Sequence, residues 1–389
     1  MFNLGRDFAM SEPGKKRGIS SISIHEGEDP LYIIPPIYQS AIFKHPFGEQ
    51  IRGRELKYSR EDNPTVHLLE KKVNALEKGE DCLAFGSGMA AISTIFLSTV
   101  SKGDEIVTSK EIYGASLVLL RSLEKFGIRV KCVLNGDLVK SITRDTKIAF
   151  IETITNPTLG VPNLPEIVKT CRENGAISVV DNTFATPVNF RPLEWGADYV
   201  VESATKYLGG HNDVIGGVLS GKKERMADFW EWRRNLGGSL DPLAAFLIIR
   251  GLKTLKLRVE CQNKGAQEVA EFLEGHTKVK RVFYPGLKSS QFNKLASRLM
   301  PGFGGVVSFE VENGEKALRL LTSLSFIKTA PSLGGAETLI THPVSSSHKS
   351  IDPAERKELG IEDGLLRLSI GLEEIDDILE DLDKALKSL

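Results

Sequence analysis

The sequence predicts an α/β protein, a mainly parallel sheet flanked by helices, followed by a smaller C-terminal α/β domain. Three observations predict it. Between about residues 64 and 221, short apolar runs of strand character alternate with helical stretches, the rhythm of β-α units. A long helical passage then breaks that rhythm near 235–262. Beyond it strands and helices mix, ending in an amphipathic helix.

The elements follow in order. In residues 1–57, IIPPIYQSAIFKHPFG sets apolar and aromatic residues around Pro35, Pro36 and Pro46. Proline favours extended chain, and extended apolar chain needs a cover, so these residues are expected to form an arm on another surface. TVHLLEKKVNALEKG has helical spacing and is expected to stop at Gly79. CLAF, EIVTS, RVKCVL, KIAFIET, ISVVD, DYVVES and GGVLSG read as strands. MAAISTIFLSTV, SLVLLRSLEKFG and PEIVKTCRENG read as helices between them. LDPLAAFLIIRGLKTLKLRVECQNKGAQEVAEFLEG predicts one long helix or two abutting ones, and a domain junction at 248/249. GGVVSFEV and LLRLSIG read as strands of the domain 249–389, and Leu372, Ile375, Ile378, Leu379, Leu382 and Leu386 fall on one face of its last helix.

Composition narrows the function. Of 389 residues 41% are hydrophobic and 26% charged, enough to build a large core and too apolar for general disorder. Lys and Arg number 50 against 51 Asp and Glu, which argues against nucleic acid or an anionic membrane as main partner. The four cysteines, Cys82, Cys132, Cys171 and Cys261, are widely spaced, so reduced thiols are expected rather than a disulfide framework or a metal site. No run approaches the ~20 apolar residues of a membrane span. The opening MFNLGRDFAMSEPGKKRG contains acids and no apolar stretch, so a cytoplasmic protein is expected.

Three segments carry chemistry. FGSGMAA, 85–91, follows a strand and opens a helix, where backbone N–H groups and the helix dipole favour an anion. It also fits G-x-G-x-x-A, a dinucleotide fingerprint, with Glu111 as a poor candidate for the ribose acid; a plain tight turn fits as well. ISVVDNTFATP ends a strand at Asp181, placed to hold a metal, a ribose hydroxyl or a protonated ring nitrogen. DYVVESATKYLGGH ends another at Glu202, after which Ser203 and Thr205 flank Lys206. A phosphate cradle, a strand-end acid and a lysine among hydroxyl groups are together the parts that hold pyridoxal 5′-phosphate.

VDNTFATP followed by SATKYLGGHNDVIGG resembles the Cys/Met-metabolism group of fold-type-I pyridoxal-phosphate enzymes, and the resemblance runs from about Ile34 to the C-terminus. That group includes cystathionine γ-lyase, cystathionine γ-synthase, methionine γ-lyase and the homoserine-ester sulfhydrylases. The resemblance makes 58–248 the cofactor domain and implies Lys206 as the Schiff-base lysine, with Ser203 and Thr205 as phosphate contacts. It implies Asp181 beside the pyridinium nitrogen, Thr183 near the ring, and the amides of Gly88 and Met89 at the phosphate. Tyr113 would stack on the ring and move protons; Asn156 would lie near the cofactor's phenolic oxygen and the substrate carboxylate. Tyr58 and Arg60 would reach the phosphate of a neighbouring subunit in a homodimer, itself paired into a homotetramer, which gives the arm 1–57 its place. In LLRLSIG, Arg367 falls opposite the apolar face of its strand, where a solvated edge is the ordinary outcome; the resemblance implies instead a fork for the substrate carboxylate, helped by Ser332.

The substrates so implied are sulfur amino acids. Glu337, in SLGGAETL, stands where cystathionine enzymes hold a distal ammonium and where the sulfhydrylases usually lack an acid. Ala115, where methionine γ-lyases carry cysteine, and GG in place of their usual GD disfavour that activity. Lys57 stands where many animal γ-lyases have an acid, which keeps γ-synthase open as the alternative to γ-lyase. An NAD(P)-binding protein built on GSGMAA and a non-catalytic interaction protein are the alternatives from other classes.

Overall fold

The computed structural model describes residues 17–46, 50–346, 349 and 351–389; the first sixteen residues of the expected arm lie outside the described residues. The described part of the arm is anchored at one end. Helix α1, Ile19–His25, packs on α2, Pro64–Glu77, whose buried Lys72 Nζ donates to the carbonyls of Ser23 (3.3 Å) and Ile24 (2.9 Å) and pairs with Glu28. A lysine at the carbonyl end of a helix meets the negative end of its dipole. Beyond that clamp the backbone is tied to α2 at Tyr38, by Thr65 and Asn63, while apolar side chains stay bare, with Ile33 90% and Ile42 71% exposed. Asn63 caps α2 by accepting from Thr65 N–H at 2.9 Å, ahead of Pro64 at the first position. The left-handed residue that ends α2 is Lys78, not the expected Gly79. Gly79 serves packing: a Cβ there would run into the side chains of Ser220 and Asn74.

The large sheet has seven strands: β1 Asp81–Phe85, β2 Glu105–Ser109, β3 Arg129–Val133, β4 Thr146–Glu152, β5 Ile177–Asp181, β6 Tyr199–Glu202 and β7 Gly217–Gly221. Their order is β1-β7-β6-β5-β4-β2-β3, and only β7 runs against its neighbours. The apolar runs reflect burial on both faces. Along β4, Ala149 and Ile151 enter one layer of the core while Ile148 and Phe150 enter the other. Helices α3, Gly88–Thr99, α4, Gly114–Leu123, α5, Leu164–Asn174, and α6, Met226–Leu236, flank the sheet. Because β4, β5 and β6 are parallel, their last residues, Glu152, Asp181 and Glu202, gather at one edge, and Glu152 pairs in register with Asp181.

The long helical passage is two helices, α7 Pro242–Leu252 and α8 Leu255–Gly275, parted at Lys253 and Thr254; residues 248 and 249 lie inside α7. A second sheet follows, β8 Arg281–Phe283, β9 Val306–Glu310, β10 Lys328–Thr329, β11 Leu339–Thr341 and β12 Leu365–Ser369, in the order β8-β9-β12-β11-β10. The last helix, α9, is Ile375–Lys387, so Leu372 falls outside the expected helical face. Glu373 accepts from Thr338 N–H (2.6 Å) and from the Thr338 hydroxyl (2.7 Å), which holds the preceding turn out of the helix.

Candidate active site

A cavity of about 460 Å³ opens at the carboxyl ends of the parallel strands. Asp181 lines it, Oδ1 accepting from Thr183 N–H at 3.0 Å; burial pushes its carboxyl up, with Thr183 opposing. The Thr183 hydroxyl accepts from Ser203 N–H at 2.8 Å, tying the turn after β5 to the turn after β6. Thr205 Oγ1 is fixed by the backbone of Gly216 (3.2 and 3.1 Å). Lys206 projects into the cavity, Nζ donating to Ser332 Oγ at 3.0 Å. Burial, and secondarily the charge of Arg367, lower its amine to about 8, so about a tenth of it is neutral at pH 7, far more than for an ordinary lysine.

The turn before α3 forms one wall. Ser87 accepts from Ala90 N–H at 3.1 Å, while Gly88 and Met89, the first helical residues, have no intrahelical acceptor by position. A Cβ on Gly88 would stand 3.0 Å from Ser203 Cβ, and one on Gly217 would overlap the backbone of Ser87. Two glycines thus let β7, this turn and Ser203 close around a concavity of amides and hydroxyls suited to an anion.

The opposite wall comes from the second sheet. Arg367 on β12 is buried, donating to Asn156 Oδ1 (2.8 Å) and to the Ser332 carbonyl (3.1 Å), with Nε buried and unpartnered. Among the described residues it joins no ion pair, and burial lowers its guanidinium to about 10. Ser332 has φ 95°, a costly backbone setting for a non-glycine residue, and in it serves both Lys206 and Arg367. Tyr113 stands at the mouth, half exposed, its N–H donating to Glu152 Oε1 at 2.7 Å.

Of the fourteen anticipated site residues, eleven share this cavity. Gly88, Met89, Tyr113, Asn156, Asp181, Thr183, Ser203, Thr205, Lys206, Ser332 and Arg367 all line the one cavity. Arg367 is there because its strand face looks into the cavity instead of solvent. Glu337 lines an adjoining groove of about 580 Å³ that shares Thr205, Pro331 and Ser332 with the cavity; it accepts from Asn212 Nδ2 at 2.7 Å. Tyr58 and Arg60 lie elsewhere in this chain, Arg60 donating to the Arg234 carbonyl with its guanidinium 5.3 Å from the Tyr58 ring. Lys57 sits with Tyr58, away from Glu337. Glu111 is engaged by Asn135, which occupies the acid a dinucleotide would need. Glu152 was missed, although it ends KIAFIE as Asp181 ends ISVVD.

A model of the Cys/Met metabolism PLP-dependent enzymes matches residues 20–387. The chain belongs to that family. An L-methionine gamma-lyase of Fusobacterium nucleatum subsp. polymorphum is 41% identical over 96% of this chain and 99% of that protein. A cystathionine gamma-lyase of Bacillus subtilis (strain 168) is 40% identical over 91% and 94%. A crystal structure of cystathionine gamma synthase from Xanthomonas oryzae pv. oryzae, with aminoacrylate and cysteine, superposes with a TM-score of 0.91 at 36% identity, over 96% and 98% of the two chains. The chain is therefore a pyridoxal-phosphate enzyme of sulfur amino acids, with the fold expected of one. The residues present fit that cofactor: the glycine-opened cradle, a buried acid on a strand end and a partly neutral lysine share one cavity.

Proposed function

We propose that this chain catalyses γ-elimination on cystathionine, releasing cysteine, 2-oxobutanoate and ammonia. Bound in the cavity, pyridoxal phosphate supplies an electrophilic carbonyl and an electron sink. Lys206 would carry it, the Asp181 carboxylate would face the pyridine nitrogen, and Thr183 would flank the ring. The amides of Gly88 and Met89 and the hydroxyls of Ser203 and Thr205 would hold the phosphate. Asn156 would reach the phenolic oxygen. Arg367, with the Ser332 backbone beside it, would grip the substrate carboxylate, where a planar fork suits two oxygens.

Lys206 Nζ, lowered to about 8 and steered by Ser332 Oγ, is suited to take the substrate's Cα proton. Lys206, once it has passed that proton on, would take the next one from Cβ, and the Tyr113 hydroxyl would protonate the sulfur that leaves Cγ. Tyr58 and Arg60 have no place at this chain's own cavity and would complete the site of a second copy. We therefore read the assembly as a homodimer, paired into a tetramer, with the bare arm around Ile33 covered by the neighbour. Cytoplasmic placement accords with that reading; among the described residues no helix is long and apolar enough to cross a membrane.

Glu337 carries the choice of cystathionine. Its carboxylate stands at the outer end of a groove continuous with the cavity and is steadied by Asn212, a seat for the ammonium at the far end of a long substrate. Near-equal identity to a methionine γ-lyase and a cystathionine γ-lyase leaves the decision to such residues. Lys57 supports γ-synthase as the second reading, since a cation contributed by the second copy would suit an acidic leaving group. Product analysis decides. Cystathionine should give cysteine and 2-oxobutanoate; homocysteine with pyruvate, or turnover confined to methionine or to an acylated homoserine with cysteine, would overturn the proposal.

A further inference from the structure

Glu152 is a carboxyl group with little to account for its burial. It is 4% exposed, Oε1 accepts from Tyr113 N–H at 2.7 Å, the Asn156 amide also faces the carboxyl, and Oε2 closes no hydrogen bond among the described residues. It lies next to Asp181 in the register of β4 and β5, a second acid at the same edge. Burial and Asp181 push its carboxyl well up, with the amides of Tyr113 and Asn156 pulling the other way. A costly buried acid that lines the cavity calls for a reason.

Its surroundings supply one. Tyr113, the residue before α4, gives the helix no side-chain cap, and the first turn holds no acid. Glu152 brings from the neighbouring strand the acceptor for the N-cap N–H that the glutamate of a capping box would bring from within the helix. Its backbone is rigid, because β4 is paired on both sides, with β2 and β5. The Tyr113 ring, by contrast, is half exposed and has little packing to fix it. Asn156, whose side chain holds the Arg367 fork, is four residues further along the loop that Glu152 begins.

We propose that Glu152 is a positioning residue that pins the Tyr113 turn to the sheet edge, and steadies the Asn156 turn beside it, so that the aromatic ring and the arginine fork keep one geometry. The required act is acceptance of an N–H, which an amide carbonyl also performs. Glutamine should therefore replace it, and alanine or a shortened acid should not. The kinetic half of this inference rests on the roles given above to Tyr113 and Arg367; the structural half does not.

The test uses Glu152→Ala, Glu152→Asp and Glu152→Gln. Amide exchange in the cofactor-free protein should accelerate by about 10- to 100-fold at Tyr113 and Asn156 in the Ala and Asp variants, with core amides of β5 unchanged, and Gln should restore protection. In the holoenzyme KM for the amino acid should rise and kcat/KM fall by about 10- to 100-fold for Ala, with Gln recovering most of the loss. Unchanged exchange at Tyr113, uniform acceleration throughout the sheet, or failure of Gln to rescue would each overturn the inference. Faster exchange without a kinetic change would also overturn it. If Tyr113→Phe and Arg367→Lys were then equally silent, the fault would lie in the functional reading.

Discussion

Replacing Arg367 separates substrate binding from fold stability more sharply than any other change. The guanidinium is buried, joins no ion pair among the described residues, and keeps Nε unpartnered. A substrate carboxylate would take two charge-assisted hydrogen bonds from it, about 1.5–3 kcal/mol each, or roughly two to four powers of ten in kcat/KM. Stability should behave differently. Burial lowers the guanidinium to about 10, a penalty of roughly 3 kcal/mol at neutral pH. The folded value lies below the unfolded one, so that penalty is present in full below about 10 and disappears as pH rises from there through the ordinary guanidinium range. The bonds to Asn156 and Ser332 offset about as much. Urea unfolding of cofactor-free Arg367→Met should therefore stay within about 2 kcal/mol of the parent. Its kcat/KM should collapse, and Arg367→Lys, with charge but no fork, should lose about 10- to 100-fold. Against the carboxamide of the same amino acid both variants should match the parent closely. Equal loss on acid and amide would refute the fork.

Other outcomes follow from the same geometry. Reaction of the cofactor-free protein with pyridoxal phosphate should rise with pH around a midpoint near 8, because Lys206 is protonated and unreactive below it; a midpoint near 10.5 would contradict the burial argument. Glu337→Ala should cost about 10- to 100-fold on cystathionine and little on methionine, whereas Lys57→Ala should change either by under ~1 kcal/mol in the opposite direction; equal Glu337 losses would deny it the distal ammonium. Arg60→Ala and Lys206→Ala should each be inactive, yet mixed subunits should regain activity; an active monomer in sedimentation would rule that out. Burial pushes the Glu70 carboxyl up, but Arg52, His67 and Arg233 outweigh it and hold it well below the usual range. Its stabilisation is thus present above the ordinary carboxylate pKa and lost as pH falls through that range and beyond, and Glu70→Ala should cost about 3–5 kcal/mol by urea unfolding.

Much of this molecule was legible because its strands are buried on both faces and end at the site. ISVVD and DYVVE announce themselves as apolar runs closed by an acid, and SATK follows the second directly. KIAFIE has the same form, but it runs on into TIT, which blurs the strand end and concealed Glu152. Strands of two or three residues such as Lys328–Thr329, both exposed, are too short for a period to show. The end of α2 at the exposed Lys78 has no sequence signature, since a left-handed lysine runs against residue preference. Arg367 could be placed on a strand face from alternation alone; that the face looks into a cavity depends on how the second sheet meets the first.

Lys206 is the residue on which the proposed site depends most. Borohydride reduction of the purified, cofactor-loaded protein, followed by tryptic mapping, should fix the pyridoxyl group on the peptide containing Lys206 and nowhere else. A label on another lysine would contradict the assembly of Asp181, the Gly88 turn and Arg367 into one working site, as would a coloured protein that borohydride leaves unlabelled.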